Sequence, residues 1–388
     1  VKVVPVSVRD PDAVRDALLS LGWEGDLASL TAGGLELAGF RVSGLETATI
    51  EAMVPLASRL GLELVTGEDW LLLIGPRARL GAFARPWVQP EPVQELAAAI
   101  GMAMPAEGIR LWRHAGGELL LDRAIMVGVV NVTPDSFSPP SRVMTADEGL
   151  RLVDQLLADG AAVIDVGGES TRPGATVVSA AAEQARILPV ITAIASRHPA
   201  LPISVDTVHA ATARDALAAG ATIINDVTAG RHDPAMPGVA AEGRAGLILS
   251  HSRGAVGTLA SYEHAAFAGD VTGAVVAELL DRVASARAAG VRPDAIVLDP
   301  GFGFGKRPEQ NWVLLRQLDA LVALGYPVLV GVSRKRFLGE ATGRSLEDRD
   351  RATAAANALA RARGAHLFRV HDPAAVADAL AVADRMVS

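Results

Sequence analysis

A chain of 388 residues is long for one domain and comfortable for two, and with 50% apolar and 21% charged residues it has the profile of a globular protein with a large core. The absence of cysteine excludes disulfides and thiolate metal sites, and the net charge of −8 argues against non-specific nucleic-acid binding, though not against a small anionic substrate in a local cationic pocket. No apolar run approaches the ~20 residues of a membrane helix, and the N-terminus lacks a charged segment leading into an apolar one, so a cytoplasmic protein that binds neither membrane nor nucleic acid is expected.

The first 106 residues read as a separate small α/β domain of unknown role. VKVVPVSV has the character of a strand, and DPDAVRDALLSLG that of a helix with an Asp cap and a Gly stop. ATIEAMVPLASRLG has helical periodicity, LELVTGEDWLLLIG reads as two strands around a turn, and EPVQELAAAIGMAM is again helical. PAEG at 105–108 marks a boundary. The region carries no dense polar motif; GPRARLGAFARPWVQPEPV is a basic and aromatic stretch for which a solvated helix is the simplest reading.

From residue 107 to 388 the pattern changes. IRLWRHAGGELLLDR predicts a β-hairpin turning at Gly116-Gly117. Short β-branched runs then alternate with Ala/Leu-rich helices, at 125–130, 161–166, 202–205, 221–225, 246–250, 295–298, 327–332 and 366–370. Continuous apolar runs alternating with helices indicate a parallel sheet covered on both faces, and eight of them indicate a (β/α)8 TIM barrel. A doubly wound open sheet is the alternative, but it would not usually place polar residues after every strand.

Those strand ends read Asn131-Val-Thr-Pro-Asp135, Asp165-Val-Gly-Gly-Glu-Ser-Thr-Arg172, Asp206-Thr207, Asn225-Asp226, His251, Asp299-Pro-Gly, Ser333-Arg-Lys335 and Arg369-Val-His-Asp372. A single polar strand end is as often a helix cap as a functional group; eight converging on one barrel mouth point to an active site. Asp206, Asn225 and Asp299 offer the donors and acceptors needed along the edge of an amino-heterocycle. Asn131, Arg369 and His371 look like an anion site, with the Asn amide able to ligate a phosphate-bound Mg²⁺, and Lys335 could bridge the two halves. Of the 36 basic residues only Lys2, Lys306 and Lys335 are lysines, and the last two follow strands. The GFGFGK run at 301–306 lacks the spacing of a nucleotide-binding loop, so its glycines are read as permitting a tight turn. No nucleophile elbow and no cluster spaced for a transition metal is present, and a lone His251 is read as structural.

GVVNVTPDSFS, IDVGGESTRPG, SVDT, INDV, LDPGFGFGK, GVSRKRFLG and RVHD, in that order over about 280 residues, closely resemble the dihydropteroate synthase family, the pterin-binding TIM-barrel targets of sulfonamides. The resemblance implies a transferase of folate biosynthesis that joins 6-hydroxymethyl-7,8-dihydropterin pyrophosphate to p-aminobenzoate, with Mg²⁺ as cofactor and a homodimeric assembly. It implies that Asp206, Asn225, Asp299 and Lys335 hold the pterin, with Phe304 and Val227 as walls. Asn131, Arg369 and His371 would hold the pyrophosphate, Asn131 also meeting the metal. Phe137, Thr171, Arg172, Pro173 and Ser333 would shape the p-aminobenzoate pocket, and Asp206, Lys335, Asn131, Arg369 and His371 would carry catalysis.

Two segments depart from the family pattern. After DSFS an Asp-Gly-Gly turn is usual, whereas this chain has Pro139-Pro140-Ser141, whose fixed φ angles stiffen the loop. At the fifth strand the usual Met-His is Ser250-His251, removing a polarizable wall. Two alternatives share the barrel: a methyltetrahydrofolate:corrinoid methyltransferase, and a non-catalytic pterin-binding homologue. The STRPG, SRK and RVHD segments count against the first, and Asn131, Lys335, Arg369 and His371 against the second.

Overall fold

The protein, a computed structural model, is described over residues 37–84, 89–103, 111–133, 145–169, 178–267 and 270–387. It divides into two compact units, Val1–Met104 and Pro105–Ser388.

In the first unit, β1 (Leu37–Ser43), α1 (Thr47–Leu60), β2 (Glu63–Thr66), β3 (Trp70–Pro76), α2 (Arg77–Phe83) and α3 (Glu91–Ala103) follow in order. The strands form an antiparallel sheet in the order β1-β3-β2, with Leu37 opposite Pro76 and Glu63 opposite Ile74. α1 stops at Gly61, whose φ of 62° lets its N–H turn back to the carbonyls of Ala57 and Ser58. Alternate residues Leu71 and Leu73 of β3 join Met53, Leu56, Leu80, Phe83 and Ile100 in a separate small core. The sequence reading anticipates α1, β2, β3 and α3. It has no counterpart for β1; α2 lies inside the basic and aromatic stretch read as a solvated helix, where the helix is present but Leu80 and Phe83 are buried rather than solvated. Its elements before residue 37 lie outside the described residues.

The second unit opens with the hairpin β4 (Leu111–His114) and β5 (Gly117–Leu120). His114 pairs with Gly117, so the turn is Ala115-Gly116, one residue earlier than expected. Eight parallel strands follow: β6 (Ile125–Asn131), β7 (Val163–Gly167), β8 (Ile203–Asp206), β9 (Ile223–Asp226), β10 (Gly246–Ser250), β11 (Ile296–Asp299), β12 (Leu329–Val330) and β13 (Leu367–Val370). Helices alternate with them: α4 (Ala146–Ala158), α5 (Ala180–Arg197), α6 (Ala210–Ala218), α7 (Met236–Glu242), α8 (Val271–Ala288), α9 (Pro308–Arg316), α10 (Asp319–Val322), α11 (Arg336–Thr342), α12 (Asp350–Ala362) and α13 (Ala374–Val387). Each strand pairs with the next, and β13 pairs with β6, Leu367 opposite Ile125. Between β11 and β12 the ring closes on a single parallel bridge, Leu298 to Val328. The strands are apolar almost throughout because both of their faces are covered.

The lower end of the barrel is plugged. Ile125, Val127, Val163, Ile223, Ile248, Val297, Leu329 and Leu367 form one apolar cluster with Trp112 of the hairpin. Trp112 is fully buried, and its indole N–H donates to the carbonyl of Ala295 at 2.9 Å. Some of the helices start on side-chain caps: Thr145 and Glu148 form a capping box on α4, and the Asp270 carboxylate accepts the N–H of Gly273 on α8 at 2.8 Å. Among the described residues no helix is long and apolar enough to cross a membrane.

Candidate active site

At the upper end the side chains turn polar and enclose a cavity of about 390 Å³. Asn131, Asp206, Asn225, Val227, Asp299, Phe304, Ser333, Lys335, Arg369 and His371 all line it. Six different segments of the chain therefore bring their expected residues to one place. Phe137, Thr171, Arg172 and Pro173, together with Pro139 and Pro140, lie outside the described residues.

The segment after β11 explains its glycines. Gly301, Gly303 and Gly305 all have positive φ, from 57° to 79°, and a Cβ at Gly301 would run into the carbonyl of His251. The turn brings the Gly301 N–H to Asp299 Oδ1 at 2.7 Å, and the Ser250 hydroxyl donates to Asp299 Oδ2 at 3.3 Å. The stem of Lys335 crosses the loop at Gly303, where a Cβ would crowd it at 2.9 Å. Its ammonium sits 3.9 Å from the centre of the Phe304 ring. Burial, reinforced by Arg369, pulls the Lys335 pKa down to about 8.

Lys306 has a different post. It is fully buried, and its ammonium donates to the carbonyls of Gly301 (2.9 Å) and Phe304 (3.1 Å) and to His251 Nδ1 (2.8 Å). The Glu278 carboxylate can only accept, so His251 Nε2 carries the proton and donates it at 3.1 Å, which leaves Nδ1 to accept from Lys306. Burial and the adjacent Lys306 hold His251 down to about 4, in keeping with a neutral ring. His251 is thus a structural post beneath the glycine turn, and the fifth strand reaches the cavity through Ser250 instead.

The opposite wall is an ionic network. Arg369 donates from Nε to Asp165 Oδ2 at 2.6 Å and from Nη2 to Asp206 Oδ2 at 2.8 Å. Asn225 donates from Nδ2 to the same Asp165 oxygen at 3.1 Å. Burial pushes the Asp206 carboxyl up to about 7 although Arg369 pulls the other way. Burial likewise opposes the charge on Arg369, but Asp165 and Asp206 outweigh it and raise its pKa. Burial also raises Asp299.

Between these walls the SRK turn is fixed by Arg334, a non-glycine residue at φ 56° whose guanidinium grips Asp350 through two bonds of 2.7 and 2.8 Å. Ser333, expected beside p-aminobenzoate, has its hydroxyl 2.9 Å from His371 Nδ1 and accepts the His371 backbone N–H at 3.2 Å. Burial and the neighbouring Arg369 keep His371 neutral, with its pKa down at about 3. On the rim Arg336 stacks 4.1 Å above the Tyr262 ring. Sequence reasoning did not single out Tyr262, nor the hydrogen bonds of Asp165 and Ser250; the last two are visible in the sequence only as polar residues closing a strand.

Among the described residues no group of three His, Asp or Glu side chains could cage a metal. Mg²⁺ commonly keeps several waters and binds through one or two protein oxygens plus substrate phosphates. The Asn131 amide, lining the cavity with Arg369 and His371, suits a metal that arrives on a diphosphate.

The chain matches the model of the pterin binding enzyme family over residues 127–371. It is 44% identical over 263 residues to the dihydropteroate synthase of Mycobacterium leprae, covering 66% of this chain and 91% of the relative. Among solved structures it is similar to Xanthomonas albilineans dihydropteroate synthase with 4-aminobenzoic acid, at 42% identity and TM-score 0.66 over 72% of this chain and 98% of that one. A further structure of that enzyme holds 7,8-dihydropteroate. The Yersinia pestis enzyme with a sulfonamide drug complex matches at 34% identity and TM-score 0.68, covering 71% and 99%.

Proposed function

The chain belongs to the dihydropteroate synthase family of pterin-binding enzymes, and from that premise we propose how its residues share out the reaction. That reaction joins 6-hydroxymethyl-7,8-dihydropterin pyrophosphate to p-aminobenzoate, giving 7,8-dihydropteroate and pyrophosphate. The observation that carries the assignment is the single cavity holding Asp206, Asn225, Asp299 and Lys335 together with Asn131, Arg369 and His371. The first four read the donor and acceptor edge of the pterin, whose faces meet Phe304 and Val227. The last three receive the diphosphate.

In the chemical step the pterin methylene loses its C–O bond to the diphosphate and gains a C–N bond to the arylamine, which then gives up a proton. Arg369 supplies fixed positive charge where the leaving group becomes more negative. Neutral His371 supplies an N–H: the Ser333 hydroxyl accepts the backbone N–H and donates its own proton to Nδ1, leaving Nε2 protonated toward the diphosphate. Ser333 therefore acts through His371, a role that goes beyond the p-aminobenzoate contact expected of it. Asp206 and Asp299 stabilise positive charge developing on the pterin. Phe137, Thr171, Arg172 and Pro173 are assigned to the p-aminobenzoate side, where the nucleophile is neutral and needs no strong base. Mg²⁺, held by Asn131 and the diphosphate, would neutralise further charge on the leaving group.

Leu359 on α12 and Val382 and Met386 on α13 are exposed apolar residues that support pairing with a second copy of the chain. A cytoplasmic homodimer acting on small soluble substrates, and inhibited by sulfonamides, accords with this reading. The deciding experiment is a coupled assay of pyrophosphate release with both substrates and Mg²⁺. Release that depends on p-aminobenzoate is expected; release indifferent to it, or none, overturns the assignment.

A further inference from the structure

We propose that Asp165, which does not line the cavity, is a positioning residue that sets the pterin-reading face and the diphosphate-holding face together. The inference rests on the division of roles given above. Asp165 lies within β7, whose five residues are all buried, and its side chain has no exposed surface. One oxygen, Oδ2, accepts both from Arg369 Nε at 2.6 Å and from Asn225 Nδ2 at 3.1 Å. A single atom thus joins the strand that reads the ring to the strand that meets the leaving group.

Two consequences follow from what a carboxylate can do. An ionised carboxylate only accepts, so Asn225 must turn its NH₂ toward Asp165, and the amide cannot flip. Its carbonyl oxygen and remaining N–H are thereby fixed for an alternating donor and acceptor edge; a flipped amide would present the wrong pattern. A guanidinium has five N–H donors, and Arg369 spends one on Asp165 and one on Asp206, which fixes its plane and leaves the others for a diphosphate. With Asp165 removed, Arg369 keeps only its contact with Asp206, and Asn225 loses its reference point.

Stability gives no reason for a carboxylate here. A buried ion pair is commonly no better for stability than apolar side chains of similar volume, and the neighbouring β7 residues Val163, Ile164 and Val166 show what packs well in this strand. Orientation is the reason that remains.

The test compares Asp165→Leu, which removes both bonds at similar volume, with Asp165→Asn, which retains a carbonyl oxygen able to accept from both partners. In Asp165→Leu, kcat/KM for the pterin pyrophosphate should fall roughly hundredfold, the loss typical of misplaced groups, while the KM for p-aminobenzoate stays within about twofold of wild type. Asp165→Asn should recover most of that loss. Calorimetry with pterin-6-carboxylate and with inorganic pyrophosphate, measured separately, should show both weakened in Asp165→Leu. Weakening of only one probe, or an equal loss for p-aminobenzoate with a lowered Tm, would overturn the proposal. Should Asp165→Leu fail to fold, Asp165→Ser, whose hydroxyl is too short to reach both partners, carries the same comparison. A wild-type protein without p-aminobenzoate-dependent turnover would sink the reading of the site; active wild type with unchanged variants would sink the role of Asp165 alone.

Discussion

The two ends of the barrel use the same ring of strands for opposite purposes. Below, Ile125, Val127, Val163, Ile223, Ile248, Val297, Leu329 and Leu367 fill the interior around Trp112. Above, a few residues further along, the strands carry Asn131, Asp165, Asp206, Asn225, Ser250, Asp299 and Arg369 in or at the end of their upper halves. The lower end gains from excluding water. The upper end gathers acids and bases whose proton affinities burial displaces: Asp206 upward, Lys335 and His371 downward. Stability and chemistry are thus separated along the axis, so each can be disturbed with little effect on the other.

The largest expected effect belongs to the upper end. Lys335→Ala removes the ammonium poised beside Phe304 and in the field of Asp299 and Asp206. It should lower kcat/KM for the pterin substrate about 10³-fold, near the upper range for loss of a preorganised electrostatic group, with Tm almost unchanged. The pH profile carries the same signature. Asp206 accepts best when ionised, above about pH 7, and Lys335 is charged below about pH 8. For the free enzyme kcat/KM should therefore peak between these values, and Lys335→Ala should lose the alkaline limb. An alkaline limb that survives in the variant would assign that limb to another group.

Trp112→Ala tests the lower end. It empties the largest buried side chain of the plug and deletes the bond to Ala295. The cost should be about 3–5 kcal/mol of stability, read as a lowered urea midpoint, with both KM values unchanged in the folded protein. A parallel rise in the pterin KM would show that the two ends are mechanically coupled and that their separation is illusory.

This division also decides what could be read in advance. Apolar runs of four to six residues between Ala-rich helices are a strong pattern, and the eight strands fell where those runs lie. The seventh is the exception: a run at 327–332 yields only Leu329–Val330, because the chain closes the ring through one bridge and then leaves at Gly331 for the SRK turn. In the first unit β1 escaped notice because Gly39 interrupts it, and the arginines of α2 suggested a solvated helix while Leu80 and Phe83 are in fact buried. At the site, residue type singled out Asp206, Asn225 and Asp299, and all three line the cavity. Pairings across the barrel could not be read. Asp165 and Arg369 are 204 positions apart, Ser333 and His371 38, and Lys306 and His251 55. Pairing of consecutive strands brings the last two pairs together, and only closure of β13 against β6 makes Asp165 and Arg369 neighbours.

Ser250 offers the smallest and most discriminating change. The family usually carries methionine here, and the serine departs from it by giving up a polarizable wall and gaining a hydroxyl 3.3 Å from Asp299. Ser250→Met reverses both at once, so its sign shows which matters more. The bond is long, and Asp299 stays anchored by the Gly301 N–H at 2.7 Å, so losing the hydroxyl should cost little. A thioether against an aromatic ring contributes about 0.3–1.5 kcal/mol. The pterin KM should accordingly fall roughly two- to tenfold, with the p-aminobenzoate KM unaltered. A rise of similar size would mean that the hydroxyl holds Asp299 more firmly than its length suggests, and that this chain has replaced a wall by a hydrogen bond of equal value.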